Sequence, residues 1–215
     1  MKVAVTGATG YVGREFVSFV NKSLGVELYV LSRSDPRLNG VTWCYYDLAQ
    51  ECPILPSSLD VIVHLASNTK HDELSADIEI TAASRLLEEA GKTQARFIFV
   101  SSQTASKNAK SSYGKTKWQI EKLVQEYGGI SVRPGQVYGG SRRGLYGRIV
   151  ELVDRLPFLP DFGDNVRVQL IHVEELSEIL ARLLTENFNG KEIFFAADPN
   201  WTSFRSYLTG LAETQ

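Results

Sequence analysis

Met1-Lys-Val-Ala-Val-Thr-Gly7-Ala-Thr-Gly10-Tyr-Val-Gly13 opens the chain with a short apolar strand that runs straight into three glycines at three-residue spacing. Read as strand, turn and helix start, the stretch has a separate use for each glycine. Gly7 lets the chain turn sharply out of the strand, Gly10 has no Cβ to obstruct a pyrophosphate, and Gly13 lets the helix pack close to the sheet. Phosphates would then meet a helix N-terminus, where free backbone N–H groups and the positive end of the helix dipole favour anions. A strand-to-helix turn also needs glycine for steric reasons alone, so the motif depends on its company.

Working outward, apolar runs of four to six residues alternate with longer segments of helical period, the pattern of βαβ units and a parallel sheet. Lys2 to Thr6, Glu27 to Leu31, Val41 to Tyr45, Val61 to Leu65, Phe97 to Ser101, Gly129 to Arg133 and Glu192 to Ala196 read as strands. Tyr11 to Lys22, Asp77 to Ala90, Ser112 to Glu126 and Glu174 to Glu186 read as helices. The expected fold is α/β, a Rossmann-type doubly wound parallel sheet forming one domain over residues 1–215. Residues from about 140–170 and 198–215 are expected to contribute a small C-terminal substrate lobe.

With 215 residues, 43% of them hydrophobic, the chain can bury a full core. A formal net charge of −2 gives no electrostatic footprint for nucleic acid or an anionic membrane, so neither is an expected partner. No apolar run reaches the roughly 18 residues of a spanning helix, and the chain begins in a core strand rather than a signal segment. A cytoplasmic location is expected. Cys44 and Cys52 have seven residues between them, which fits neither a redox pair nor a zinc knuckle; both are expected to be buried, reduced thiols. His64, His71 and His172 lack metal-ligand spacing, so no metal is expected.

A second motif, Tyr113-Gly-Lys-Thr-Lys117, puts a tyrosine and a lysine four apart on one helix face. An ammonium beside a phenol favours the phenolate, which can then pass a proton to or from an alcohol or carbonyl. Such pairs arise by chance on many helices. This one opens a helix after a strand ending Phe97-Ile-Phe-Val-Ser101-Ser102, so a hydroxyl emerges at the carboxyl end of a sheet strand, where ligands bind.

Together these residues resemble the extended and atypical branches of the short-chain dehydrogenase/reductase superfamily, and more closely the NAD-dependent epimerase/dehydratase family of nucleotide-sugar enzymes. Gly7-Ala-Thr9-Gly10-Tyr11-Val12-Gly13 resembles that family's glycine motif, Asp47-Leu48 its adenine-contacting pair, and His64-Leu65-Ala66, with Ser67, the segment after its fourth strand. Val100-Ser-Ser102 is similar to the strand carrying the catalytic hydroxyl, and Arg133-Pro134-Gly-Gln-Val137-Tyr138-Gly139 to the loop passing the nicotinamide. Ile171-His172-Val-Glu-Glu-Leu resembles the segment lining the substrate side. The resemblance implies that Tyr113 is the general acid/base, that Lys117 assists it and grips the nicotinamide ribose, and that Ser102 hydrogen-bonds the reacting oxygen. It also implies a small-molecule substrate, a nucleotide sugar, and a homodimer formed through the second and third long helices.

Cofactor choice turns on the end of the second strand, Leu31-Ser32-Arg33-Ser34, which carries no carboxylate and offers a planar cation suited to a 2′-phosphate. NADP is therefore favoured over NAD. Arg142 and Arg143 form a compact basic spot on the expected substrate side, suited to a diphosphate if they are not simply solvated.

Three features depart from the family pattern. Ser102 and Tyr113 are only eleven positions apart, Glu79-Ile80-Thr81 stands where the family often has an asparagine, and little chain follows Trp201 to Ala212. A trimmed, open substrate pocket is the expectation, and a non-catalytic NAD(P)-binding redox sensor or regulatory module is the alternative. Gly114-Lys115-Thr116 lacks the upstream glycine of a P-loop, and Ser112-Tyr-Gly-Lys115 lacks the companion motifs of penicillin-recognising enzymes.

Overall fold

The computed structural model describes residues 1–68, 72–156, 158, 166–186 and 192–213. Seven parallel strands form the main sheet: β1 (Lys2–Thr6), β2 (Glu27–Ser32), β3 (Val41–Tyr45), β4 (Val61–His64), β5 (Arg96–Val100), β6 (Ile130–Pro134) and, far later in the chain, β10 (Ile193–Ala196). Their order is β10-β6-β5-β4-β1-β2-β3. The chain runs outward from β1 to β3, then crosses back to β4 on the other side of β1. That reversal opens a crevice at the carboxyl ends of β1 and β4, where such sheets take ligands.

Alternation along each strand divides the core between two faces. Val3, Val5, Val61, Val63 and Ile98 point to one face, where α1 (Tyr11–Ser23) brings Phe16, Val17 and Val20, and α5 (Val173–Thr185) brings Leu176 and Leu180. Ala4, Ile62, Phe97 and Phe99 point to the other, covered by α2 (Glu73–Thr93) through Ala83 and Leu86 and by α3 (Ser112–Tyr127) through Ile120 and Val124. The result is a three-layer sandwich with the crevice at one end.

The strands lie within about a residue of the ends expected from the apolar runs. Helix α2 is longer than the periodicity suggested, because Asp72 caps it by accepting from the Ser75 N–H and the left-handed Gln94 ends it. Two helices were not read from the sequence: α4 (Gly144–Arg155) and α6 (Phe204–Glu213). They pack Val150, Val153, Tyr207, Leu208 and Leu211 into a separate small cluster. A two-stranded pair, β8 (Arg167–Val168) with β11 (Thr202–Ser203), closes that lobe, and β7 (Gln136–Tyr138) pairs with β9 (Leu170–His172) beneath it. Cys44 and Cys52 are free and half-buried, and burial pushes the Cys52 thiol up to about 12. Among the described residues no helix is long and apolar enough to cross a membrane, and no cluster of His, Cys, Asp or Glu is arranged to hold a metal.

Candidate active site

The turn between β1 and α1 is built by close backbone approach. Gly7 takes φ +71°, and a Cβ on it would lie 2.6 Å from the Ala66 nitrogen; a Cβ on Gly13 would lie 2.2 Å from the Gly7 oxygen. Thr6 Oγ1 accepts from the N–H groups of Leu65 and Ala66, both at 3.2 Å, tying the ends of β1 and β4 together. Gly10 heads α1 with no side-chain cap, and no acidic residue occupies the first turn. Only the Gly7 oxygen lies near the Cβ position of exposed Gly10. An open cradle with an uncapped helix N-terminus fits a pyrophosphate. Tyr11 spends its side chain on bracing: its phenol donates to the Gly139 oxygen at 2.7 Å and its ring stacks on Tyr146. Burial raises that phenol well above the usual range.

At the start of α3, Ser111 caps the helix by accepting from the Gly114 N–H at 3.1 Å. The preceding loop lies so close that a Cβ on Gly114 would sit 2.5 Å from the Thr104 oxygen, so the loop and the helix start fix each other. Tyr113 and Lys117 do share a face: the Lys117 ammonium is 5.5 Å from the Tyr113 ring centre and 4.9 Å from that of Phe99. Ser102 follows β5, its Oγ 2.9 Å from Thr104 Oγ1 and accepting from the Thr104 N–H.

Lys117 is buried to 2% exposure and lies 3.9 Å from Glu79 Oε2, itself on a residue 3% exposed. Glu79 also accepts from Ser67 Oγ at 3.1 Å and from the Asn68 N–H at 2.7 Å. Sequence reasoning noted Glu79 only as a departure from a pattern. The available signal was a carboxylate on the apolar stripe of α2, in register with Ala82, Ala83 and Leu86, where an unpaired charge would be costly. His64, behind the pair, bonds Thr6 Oγ1 through Nδ1 at 2.7 Å, while its Nε2 has no partner. Burial, with the Lys117 charge adding to it, pushes the imidazole down to about 3, so it is neutral at ordinary pH.

At the other end of the crevice, Ser32 closes a turn by donating to the Ser34 oxygen, and Arg33 is exposed beyond the end of β2. Asp47 accepts from the Ala49 N–H, an Asx-type turn, while Leu48 packs on the second core face. Asp35 is likewise turned to the Arg37 N–H.

On the expected substrate side, Pro134 ends β6, and Val137 and Tyr138 lie on β7. Arg133 reaches back to buried Glu121 with two hydrogen bonds of 2.8 and 2.6 Å, holding the base of this loop to α3. His172 caps α5, its Nδ1 accepting from the Glu174 N–H, and meets the Tyr138 ring edge-on. Arg142 pairs with Asp154 at 2.9 Å, both exposed to solvent; Arg143 is the exposed N-cap of α4. The structure therefore brings Tyr113 and Lys117 together and gives Arg142 and His172 local partners. His71 lies outside the described residues.

The model of the NAD dependent epimerase/dehydratase family matches residues 3–196. A curated relative, the ceramide reductase of Caulobacter vibrioides (strain NA1000 / CB15N), is 32% identical over 188 residues, covering 80% of this chain and 57% of the relative. Subunit 9 of the mitochondrial NADH dehydrogenase (ubiquinone) 1 alpha subcomplex of Dictyostelium discoideum is 26% identical over 216 residues, covering 92% of this chain and 60% of the relative. The chain thus spans under two thirds of the length of these relatives. Among solved structures, MoeE5 in complex with UDP-glucuronic acid and NAD superposes with a TM-score of 0.83 at 18% identity, covering 100% of this chain and 82% of that one. UDP-glucose 4-epimerase of Thermotoga maritima gives 0.80 at 19% identity, covering 99% and 82%. At such identities the likeness establishes the fold.

Proposed function

This chain belongs to the NAD-dependent epimerase/dehydratase family, and on that footing we propose that it interconverts an alcohol and a ketone with a nicotinamide dinucleotide. The observation that carries the reading is the buried Lys117 ammonium, 5.5 Å from the Tyr113 ring, on the helix that follows the strand leading to Ser102. In this reading the N–H groups of Tyr11 and Val12 hold the pyrophosphate beside Gly10, whose own N–H donates to the Gly7 oxygen at 2.9 Å. Leu65, Ala66, Ser67, Pro134 and Val137 line the nicotinamide half, and Asp47 and Leu48 the adenine. When bound, the dinucleotide supplies or accepts the hydride. Tyr113 passes the proton to or from the substrate oxygen, Ser102 donates a hydrogen bond to that oxygen, and Lys117 holds positive charge beside the phenol. Exposed Arg33, with no carboxylate at the end of β2, supports NADP over NAD.

For the substrate, the family and the crevice support a nucleotide-activated sugar, with Arg143 and Tyr138 at its rim. A second reading, a ketone carried on a lipid, has its own support. The Caulobacter relative is named a ceramide reductase, Arg142 is already paired to Asp154, and α4 exposes Leu145 and Leu152 by 59 and 51%. The decisive assay offers purified protein NADPH or NADH with two panels, keto nucleotide sugars and long-chain keto amides. Turnover on one panel is expected, falling by about 10²–10⁴ in Tyr113→Phe while dinucleotide affinity holds. Binding without turnover on either panel, or turnover indifferent to Tyr113→Phe, would replace this reading with the non-catalytic one; equal affinity for NADH and NADPH would remove the preference for NADP.

A further inference from the structure

We infer that Glu79 is a positioning residue that neutralises Lys117 and so sets how the crevice discriminates the oxidised from the reduced form of its dinucleotide. The inference rests on the proposed function above. Its physical basis is a buried charge pair. Lys117 and Glu79 are 2 and 3% exposed, and their charged atoms lie 3.9 Å apart, within charge contact but beyond a normal hydrogen bond. The carboxylate is held from its other side by the Ser67 hydroxyl and the Asn68 N–H, so it has little freedom to leave. The ammonium keeps donors free for a ligand, because no hydrogen bond joins it to Glu79.

The oxidised nicotinamide ring is a cation and the reduced ring is neutral. An uncompensated lysine at the floor of the site would repel the first and leave the second untouched; with a carboxylate beside it the site carries no net charge there. Among the described residues, the other groups that touch the pair do not offset Glu79. His64 packs against the same residues but stays neutral, its ring stacked on Phe99. The Ser67 hydroxyl and the Asn68 N–H are themselves neutral. The pair is thus the local balance of charge, and removing its negative half should disfavour the oxidised ring selectively.

The test is equilibrium binding of both redox forms to the full chain, read by the fluorescence of the reduced form and by its displacement with the oxidised form. Glu79→Gln should raise the ratio of oxidised to reduced Kd by about tenfold, the effect of one charge several ångströms away in a partly polar site. Glu79→Asp, which keeps the charge, should leave the ratio within about threefold of wild type on the same scale. If Glu79→Gln does not fold because Lys117 is left buried and unpaired, the double variant Glu79→Gln/Lys117→Met strands no charge. It should bind both forms more weakly but with about the wild-type ratio. A merely structural role would weaken both forms equally in Glu79→Gln, and that unchanged ratio overturns the inference, as does a double variant with a tenfold altered ratio. Wild-type protein that binds neither form overturns instead the functional reading beneath it.

Discussion

In the sheet half, Val3, Val5, Phe16, Val17, Val61 and Val63 are wholly inaccessible, whereas α4 in the small lobe leaves Leu145 and Leu152 exposed by 59 and 51%. Both regions are built from amphipathic elements, yet only the first has layers on both sides. Lying between two pairs of helices, the central strand β4 is buried on both faces, while α4 and α6 have chiefly each other and a two-stranded ribbon. A closely packed turn between β1 and α1, and an open apolar face on α4, follow from that difference in layering.

The contrast can be broken at its tightest point. Gly13→Ala forces a Cβ to within 2.2 Å of the Gly7 carbonyl oxygen, so α1 must lift off β1; a loss of about 3 kcal/mol or more in denaturant unfolding is expected. An unchanged midpoint would show that the turn is far more pliant than its contacts imply.

Acid should strike the same half. The folded His64 imidazole takes up a proton only near 3, while in the unfolded chain it does so near its ordinary 6.5. Between those values the unfolded state binds the extra proton, so stability falls as pH is lowered. The slope is at most about 1.4 kcal/mol per pH unit. Melting curves from pH 7 to pH 4 should show this slope in the wild type and a shallower one in His64→Gln; parallel slopes would mean that His64 is not the group responsible.

The smallest effect belongs to the lobe. Gly210 lies within α6, and a Cβ there would meet nothing within 4 Å. Gly210→Ala should therefore stabilise by about 0.5–1 kcal/mol through helix propensity alone. A loss of stability would show that the lobe is packed more closely than its exposed leucines suggest.

What could be read in advance divides along the same line. Short β-rich runs such as Val61 to His64, bounded by turns, reveal buried parallel strands, and three glycines at fixed spacing reveal the turn, because each is a local constraint on the backbone. Helix α4 was hidden by Gly144, Gly147, Arg142 and Arg143, which read as loop until α6 and Tyr11 supply the surface it packs on. Likewise Tyr113 and Lys117 were legible as a pair because they sit four apart on one helix, but the partner of Lys117 comes from a different helix, 38 positions earlier in the chain.

The seven strands of the main sheet with helices α1, α2, α3 and α5, the glycine turn and the shared face of Tyr113 and Lys117 were determined by the sequence alone, since each depends on neighbours within a few residues. The charge beside Lys117, the bracing of Tyr11 against Gly139, the pairing of Arg142 with Asp154 and the existence of a second small core were decided by the tertiary structure. The physical reason is that burial and electrostatic pairing are properties of assembled surfaces: a carboxylate such as Glu79 finds its counter-charge only when two helices close over the same face of the sheet.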